Sequence, residues 1–185
     1  EIPFRAEYVT GFCLRDGQPG YVTLVDNVGL GLVYDIRRKE IVIENLSYPR
    51  DCLWHEGRLY LLESGTGYIG EIDLESREFI KERFLPGFLR GLTVVDKCLV
   101  VGSSFDRYES LFLGTSLGAT LKKEKVQDRC GVYVVSLENW DVIHSFMILE
   151  GLFEIDAVSF IETKNRDMTI FELSLPDNYM KTLEI

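Results

Sequence analysis

Metal-binding and disulfide-forming residues are scarce in this sequence. Its 185 residues include two histidines and four cysteines, and no two cysteines form a C-x-x-C pair. Because the chain lacks the ligand spacing of a zinc site, we predict no metal and no cofactor. The four cysteines are Cys13, Cys52, Cys98 and Cys130. Three of them lie within apolar stretches, which favours buried free thiols and predicts a reducing compartment, the cytoplasm.

Long apolar runs and an excess of basic residues are also absent. No run approaches the roughly 20 apolar residues that cross a bilayer, and the start, EIPFRAEYV, lacks the pattern of a secretory signal. The net charge is −10, from 30 acidic and 20 basic residues. We therefore predict neither membrane nor nucleic acid as a partner, since binding to phosphate backbones needs clustered Lys and Arg.

A similar phrase returns along the chain at a nearly fixed step. Each copy opens with an aromatic residue, continues with Gly or Asp three positions later, and then gives an apolar strand, a polar turn and a second apolar strand. The copies begin at Tyr8, Tyr48, Phe88 and Phe153, so the first two steps are 40 residues and the third is 65. A period near 40 residues built from short strands is typical of a β-propeller blade.

The first three copies also continue alike, with a small-residue turn, a third strand and a fourth strand. The third strands are predicted at 31–36, 67–74 and 131–137, and the fourth at 40–46, 78–85 and 141–149. Many of these strands are apolar nearly throughout, which suits blades that pack on neighbours through both faces. Cys52, Leu61, Ile72 and Leu92 are predicted core residues, and Trp54 and Trp140 are expected between blades.

These patterns predict an all-β chain that forms one β-propeller region over residues 1–185, with about three and a half four-stranded blades. The blades are expected at 8–47, 48–87 and 88–152, with a partial one at 153–185. An insert at 105–129 lengthens the third blade. It places Leu117 and Leu121 four residues apart among lysines, which predicts one or two surface helical turns. Because three and a half blades do not close a ring, we expect strands from N-terminal blades or from a second copy to complete it.

Several phrases resemble a family of bacterial β-propeller proteins known as conserved hypothetical or domain-of-unknown-function proteins. They are WHEGRLYLLESGTGYIGEIDL, FLPGFLRGL and RCGVYVVSL. The family versions contain P-x-x-x-x-W-x-x-G-R-L-x-L-L-x-S-G-T-G, then F-L-P-G-F-x-R-G-L, then R-C-G-V. The resemblance covers roughly residues 8–162 and implies a propeller with further blades on the N-terminal side, but no known activity. Two family histidines correspond here to Arg50 and Tyr8, so any role of those histidines does not carry over.

Candidate binding residues come from the loops that lead into the innermost strands and from the turns between second and third strands, because both sets meet on one face of a propeller. The entry positions give Thr10, Arg50, Asp51, Arg90, Glu154 and Asp156. The facing turns give Asp26, Asn27, Ser64, Thr66, Ser103 and Ser104. We predict a ligand site at Arg50, Asp51, Arg90, Glu154, Asp156 and the four hydroxyl residues from Ser64 to Ser104, with the insert rising from the same face as a possible lid.

Two functions follow from this set. Arg50 and Arg90 occupy the same repeat position in adjacent blades and would suit a small anion, although they could instead form ion pairs that tie blade to blade. The main hypothesis is a non-catalytic scaffold that binds a small anion or a protein partner on the insert-bearing face. The alternative is a channel-mouth hydrolase or lyase that uses Asp51, Glu154 and Asp156, but this face offers no histidine to act as a base.

One further motif resembles a catalytic signature. The stretch GTSLG at 114–118 matches G-x-S-x-G, and Ser116, Asp141 and His144 follow in the chain order of an α/β-hydrolase. That elbow works at a strand-to-helix turn of a parallel sheet, whereas this chain is nearly all β. We therefore interpret the match as chance.

Overall fold

The described strands form three separate four-stranded antiparallel sheets. The computed structural model describes residues 6–105, 116–148 and 151–160. Blade 1 contains β1 (Tyr8–Arg15), β2 (Gln18–Val25), β3 (Leu30–Asp35) and β4 (Glu40–Ser47). Blade 2 contains β5 (Pro49–His55), β6 (Arg58–Glu63), β7 (Tyr68–Asp73) and β8 (Glu78–Phe84). Blade 3 contains β9 (Phe88–Val95), β10 (Cys98–Ser104), β11 (Cys130–Ser136) and β12 (Val142–Ile148). The predicted fold class is confirmed: the chain is all-β and forms part of a propeller.

Two-residue turns join the first two strands of blades 1 and 2. Arg15 pairs with Gln18 across Asp16-Gly17, and His55 pairs with Arg58 across Glu56-Gly57. Both residues of each turn have positive φ, from 48° to 83°. This is the type I′ geometry, whose twist matches that of paired strands and which Asp-Gly sequences favour.

Aspartates shape the turns between the third and fourth strands of the same blades. The carboxylate of Asp35 accepts hydrogen bonds from the backbone N–H of Arg37 and Arg38. Asp73 accepts from the N–H of Glu75 and Ser76 in the same way. The repeat therefore encodes its turns locally, as Asx turns do.

Blade 2 packs on both neighbours through alternate residues of β6. Leu59 and Leu61 belong to the core cluster shared with blade 1, which includes Tyr21, Val33 and Cys52. Tyr60 and Leu62 belong to the cluster shared with blade 3. Because successive side chains of a strand point to opposite faces, a strand that is apolar throughout serves two interfaces at once.

Most of the predicted core residues are buried. Cys52, Leu61 and Ile72 expose 5%, 0% and 2% of their surface, whereas Leu92 is only partly buried and packs at the edge of its cluster. The predicted placement of both tryptophans between blades is confirmed. The Trp54 ring lies 5.8 Å from that of Tyr21, and the Trp140 ring lies 6.0 Å from that of Tyr60. All four cysteines are free thiols, and Cys98 is the one that is only partly buried.

The insert carries the one helix of the described residues, α1 (Ser116–Glu124). Its residue Leu117 is fully buried and donates its backbone N–H to the Gly65 carbonyl at 2.9 Å. The predicted helical turns therefore exist, but they dock on the β6–β7 turn and do not lie free on the surface. No helix in the described ranges is long and apolar enough to cross a membrane.

The described part of the fourth repeat contains no strand. Residues 151–160 run as irregular chain along blade 3, and the second strand predicted for this unit lies outside the described residues. Phe105 donates its N–H to the Phe153 carbonyl at 2.7 Å, and Ile155 donates its N–H to the Ser104 hydroxyl at 3.0 Å. This segment therefore runs beside blade 3. It occupies the position where the inner strand of the fourth repeat was predicted.

Leu61→Ala should lower the free energy of unfolding by about 2–5 kcal/mol, since it removes a fully buried leucine from the interface of blades 1 and 2. Urea titration followed by circular dichroism measures the change.

The matched control is Ile80→Ala on β8, where the isoleucine is 45% exposed. That substitution should change stability by no more than about 0.5 kcal/mol. Equal denaturation midpoints for wild type and Leu61→Ala would contradict the assignment of Leu61 to the core.

Candidate functional site

The starts of the innermost strands and the ends of the second strands meet on one side of the molecule, here called the upper face. The strand register shows this, because Tyr8 pairs with Val25, Pro49 with Glu63 and Phe88 with Ser104. The insert leaves β10 at the same end. The predicted entry residues and turn residues therefore do share a face, as propeller geometry requires.

The Gly or Asp of each repeat marks the point where neighbouring inner strands meet. A Cβ added to Gly11 would lie 2.7 Å from the Cα of Asp51, which leaves no room for a side chain. Asp51 in turn accepts a hydrogen bond from the N–H of Gly91 at 2.8 Å. Gly91 has a φ of +74°, and a Cβ there would lie 2.4 Å from the N of Val158. This repeat position therefore controls how closely the blades approach around the channel.

A pocket of about 180 Å³ opens on the upper face between blades 2 and 3. Its walls are Tyr48, Arg50, Phe88, Arg90, Ser104, Phe105 and Glu154. The Cζ atoms of Arg50 and Arg90 lie 5.4 and 5.5 Å from the centroid of the same Phe88 ring. The structure thus brings together the two arginines that the repeat places in equivalent positions.

Burial and mutual repulsion act on these guanidinium groups. Burial, and next the positive charge of Arg90, lower the pKa of Arg50, while Asp51, Asp156 and Glu154 oppose the change. Arg90 pairs with Asp156, whose side chain is 82% exposed. Within the described part of the chain, Arg50 forms no ion pair, and the Nε atoms of both arginines are buried without a hydrogen-bond partner. Buried donors without partners are costly, so this pocket favours a ligand that accepts hydrogen bonds.

The predicted carboxylates take different positions. Asp51 is committed to the Gly91 N–H, and burial raises its pKa, although the hydrogen bond from Gly91 and the nearby Arg50 oppose the shift. Glu154 lines the pocket, and Asp156 lies at its rim with Arg90. Among the described residues, no three His, Cys, Asp or Glu side chains are grouped so that they could hold a metal ion.

Three of the four predicted hydroxyls serve as internal ties and do not line the pocket. Ser64 donates to the Leu89 carbonyl at 2.6 Å, Thr66 to the Glu63 carbonyl at 3.0 Å and Ser103 to the Arg129 carbonyl at 2.8 Å. Ser104 does line the pocket, but its hydroxyl is bonded to the backbone of Ile155. Elsewhere on this face, the carboxylate of Asp26 accepts from the N–H of Val28 and Leu30 within its own turn.

Three aromatic residues line the pocket but were not among the site residues predicted from the sequence. The rings of Tyr48 and Phe88 meet edge to face at 5.8 Å, and Phe105 closes the pocket from the insert side. Tyr48 and Phe88 are the aromatic residues that open the second and third repeats. Their position two residues before each arginine is a signal that could have placed them in the pocket.

A larger groove adjoins the pocket on the side of the insert. It has a volume of about 680 Å³ and includes Phe105, Met147, Ile148, Leu152 and Phe153 in its walls. A protein partner on the insert-bearing face stays a prediction.

The structure separates the residues of the G-x-S-x-G match. Ser116 donates to the Gly65 carbonyl at 3.3 Å on the upper face, while Asp141 lies at the other end of blade 3 and accepts from Arg83. His144 pairs with Val134 in the middle of β12. Among these three described residues no catalytic set is assembled, which agrees with the interpretation of the motif as chance.

Comparisons with known proteins agree with this architecture. The family model DUF4915, a domain of unknown function, matches residues 4–170. The chain belongs to this family. A search of curated proteins found no match.

Three solved structures show what this DUF4915 chain is similar to in fold. The computationally designed Ika4 protein matches with a TM-score of 0.55 and 10% identity, over 88% of this chain and 85% of that one. The designed Ika8 protein gives 0.52 and 9%, over 83% of this chain and 40% of that one. The β-propeller domain of Cps50 (Swd1) from Myceliophteria thermophila gives 0.49 and 9%, over 82% and 45%. At these identities the likeness shows the fold alone.

Asp51→Asn should change how stability depends on pH. Because burial raises the pKa of Asp51 in the folded protein, the folded state holds this proton more tightly than the unfolded state. The carboxyl therefore favours folding below its unfolded pKa of about 3.9, and this contribution is lost as pH rises through the raised pKa. Relative to the asparagine variant, wild type should become less stable as pH rises above about 4, measured by urea titrations at a series of pH values.

Asp73→Asn is a control of opposite sign. Hydrogen bonds from the N–H of Glu75 and then of Ser76 lower the pKa of Asp73, so its contribution is present above the unfolded pKa and is lost as pH falls. Parallel pH trends for the two variants would contradict the role given to burial at Asp51.

Proposed function

We propose that this protein is a non-catalytic propeller scaffold that binds a small anion in the pocket between Arg50 and Arg90. The observation that carries the proposal is that two guanidinium groups from adjacent blades converge on one pocket, each with a buried Nε that lacks a hydrogen-bond partner among the described residues. An anion can accept from such groups in a bidentate manner, which arginine geometry favours.

The size of the pocket limits the ligand. At about 180 Å³ it is smaller than the roughly 300–1,000 Å³ of pockets for drug-sized molecules. A phosphate, a sulfate or a small carboxylate fits this scale. The hydrolase or lyase alternative has less support, because Asp51 is committed to the Gly91 N–H and Asp156 to Arg90.

Phosphate, sulfate or a small carboxylate should raise the melting temperature of the wild-type protein. At a concentration about 100 times Kd, mass action adds about 2.7 kcal/mol, which corresponds to a rise of roughly 5–10 °C for a domain of this size. The Arg50→Met/Arg90→Met variant should lose the rise in differential scanning fluorimetry.

Arg15→Met is the matched control. Arg15 also has a buried Nε without a partner in the described ranges, but it stacks on Trp54 at 4.5 Å and lies at the opposite end of blade 1. This variant should keep the full ligand-induced rise. If no anion shifts wild type, or if the double variant shifts equally, the pair has a structural role only.

The outer surface of blade 1 supports a second proposal, that another propeller blade covers it. Val9, Phe12 and Leu14 lie on one face of β1 and are 52–69% exposed, although the equivalent faces of blades 2 and 3 are covered by neighbours. An apolar face and open strand edges are binding surfaces that folded proteins rarely leave bare. The covering blade would come from a longer chain, as the family resemblance implies, or from a second copy.

Light scattering on the 185-residue chain distinguishes these sources. A stable dimer would assign the covering blade to a second copy. Concentration-dependent aggregation, relieved when N-terminal blades are supplied on a longer chain, would assign it to the same protein. A compact, protease-resistant monomer would overturn both.

We also propose a reducing compartment, the cytoplasm, since all four cysteines are free and three are buried. Thiol titration of freshly isolated, unfolded protein should count four thiols. A count of two or none would contradict this placement.

A further inference from the structure

Arg50 and Arg90 do not offer equal charge to a ligand. The Arg90 guanidinium already forms an ion pair with Asp156. Arg50 forms no ion pair within the described ranges, although it lies beside the Phe88 ring. Among the described walls of the pocket, one arginine therefore has its charge matched by a carboxylate and the other does not. Because charges across a contact should complement each other, this arrangement favours a ligand with a single negative charge.

Nearby carboxylates weigh against a second negative charge on the ligand. Burial lowers the pKa of Arg50, and three carboxylates oppose this change through their charges: Asp51, Asp156 and Glu154. The same carboxylates would repel any additional negative charge, because Coulomb interactions in a half-buried site are strong. The site therefore disfavours dianions such as sulfate and hydrogen phosphate.

The unpaired donors of the two arginines suit a carboxylate. The Nε atoms of Arg50 and Arg90 are buried, and neither has a hydrogen-bond partner among the described residues. A carboxylate has two oxygens in one plane, so it can accept a hydrogen bond from each arginine. A ligand with one carboxylate thus meets the requirements of the pocket for both charge and hydrogen bonding.

Aromatic rings form much of the remaining wall. Tyr48, Phe88 and Phe105 line the space, and Phe105 is 39% exposed at the side of the insert. An inorganic oxyanion would leave this apolar surface in water. A ligand with a hydrocarbon skeleton would cover it, and the burial of apolar surface would then add to the affinity.

We infer that the ligand is a small monocarboxylate, with its carboxylate between Arg50 and Arg90 and its hydrocarbon skeleton against the aromatic wall. The volume of about 180 Å³ fits a short chain or a single ring. The inference rests on the proposed anion site and adds the class of anion that this site selects.

Isothermal titration calorimetry at constant ionic strength tests the inference, in a buffer that contains neither phosphate nor a carboxylate. Butyrate and succinate form a matched pair, since they have the same number of carbon atoms and only succinate carries a second carboxylate. Benzoate, acetate, phosphate and sulfate are the further probes. Butyrate or benzoate should bind about tenfold or more tightly than each of the other probes. Arg50→Met should abolish that binding.

Phe105→Ala separates the apolar contact from the carboxylate contact. It should weaken butyrate or benzoate by about fivefold and leave acetate, measured by competition, within about twofold of wild type. Ile80→Ala, at an exposed position of β8 outside the pocket lining, should change neither affinity. Circular dichroism melts of each variant show whether the fold is kept.

Three results would overturn the inference. If succinate, phosphate or sulfate binds as tightly as butyrate and benzoate, and Arg50→Met abolishes that binding, the monocarboxylate is wrong and the anion site stands. If no probe binds in a way that depends on Arg50, both proposals fall. If acetate binds as tightly as the larger carboxylates, or if Phe105→Ala weakens every probe alike, the apolar contact is wrong.

Discussion

The two-sided packing of β6 is the constraint on which the rest of the structure depends. Leu59 and Leu61 face blade 1, and Tyr60 and Leu62 face blade 3, so one strand joins both core clusters. Either interface alone would leave half of this apolar strand in water, which costs about 1.5–3 kcal/mol for each large side chain. The three blades therefore stabilise one another and are not independent units.

That packing also determines where the pocket forms. Blades held face to face bring the starts of β5 and β9 side by side, so residues at the same repeat position become neighbours. Both guanidinium groups then lie beside the same Phe88 ring, with their Cζ atoms 5.4 and 5.5 Å from its centroid. The face of an aromatic ring attracts guanidinium groups, and Asp156 offsets part of the charge of Arg90.

Much of this architecture could be predicted from the sequence because its causes are local or periodic. The Asp16-Gly17 and Glu56-Gly57 turns, the apolar strands and the 40-residue step each reflect short-range chemistry that a repeat shows several times. The convergence of Arg50 and Arg90 also followed from the repeat. The roles of Ser64, Thr66 and Ser103 could not be predicted. A sequence shows only that a hydroxyl lies in a turn, and does not show whether it faces solvent or donates to a backbone carbonyl. The docking of α1 through Leu117 was likewise invisible, since it depends on contact with a blade distant in sequence.

The same repeat position has different roles in successive blades. This difference explains why the pocket lies between blades 2 and 3. Two residues after the opening aromatic residue, blades 1, 2 and 3 carry Thr10, Arg50 and Arg90. Thr10 donates its hydroxyl to the Pro49 carbonyl at 2.7 Å and so ties two inner strands together. Arg50 and Arg90, at the same repeat position, line the pocket instead. Between blades 2 and 3 the tie is made by Asp51 and the Gly91 N–H, one residue further along the repeat. The tie between inner strands therefore uses the second residue after the aromatic residue in blade 1 and the third in blade 2. In blade 2 the second residue, Arg50, is not needed for the tie and can belong to the proposed ligand site.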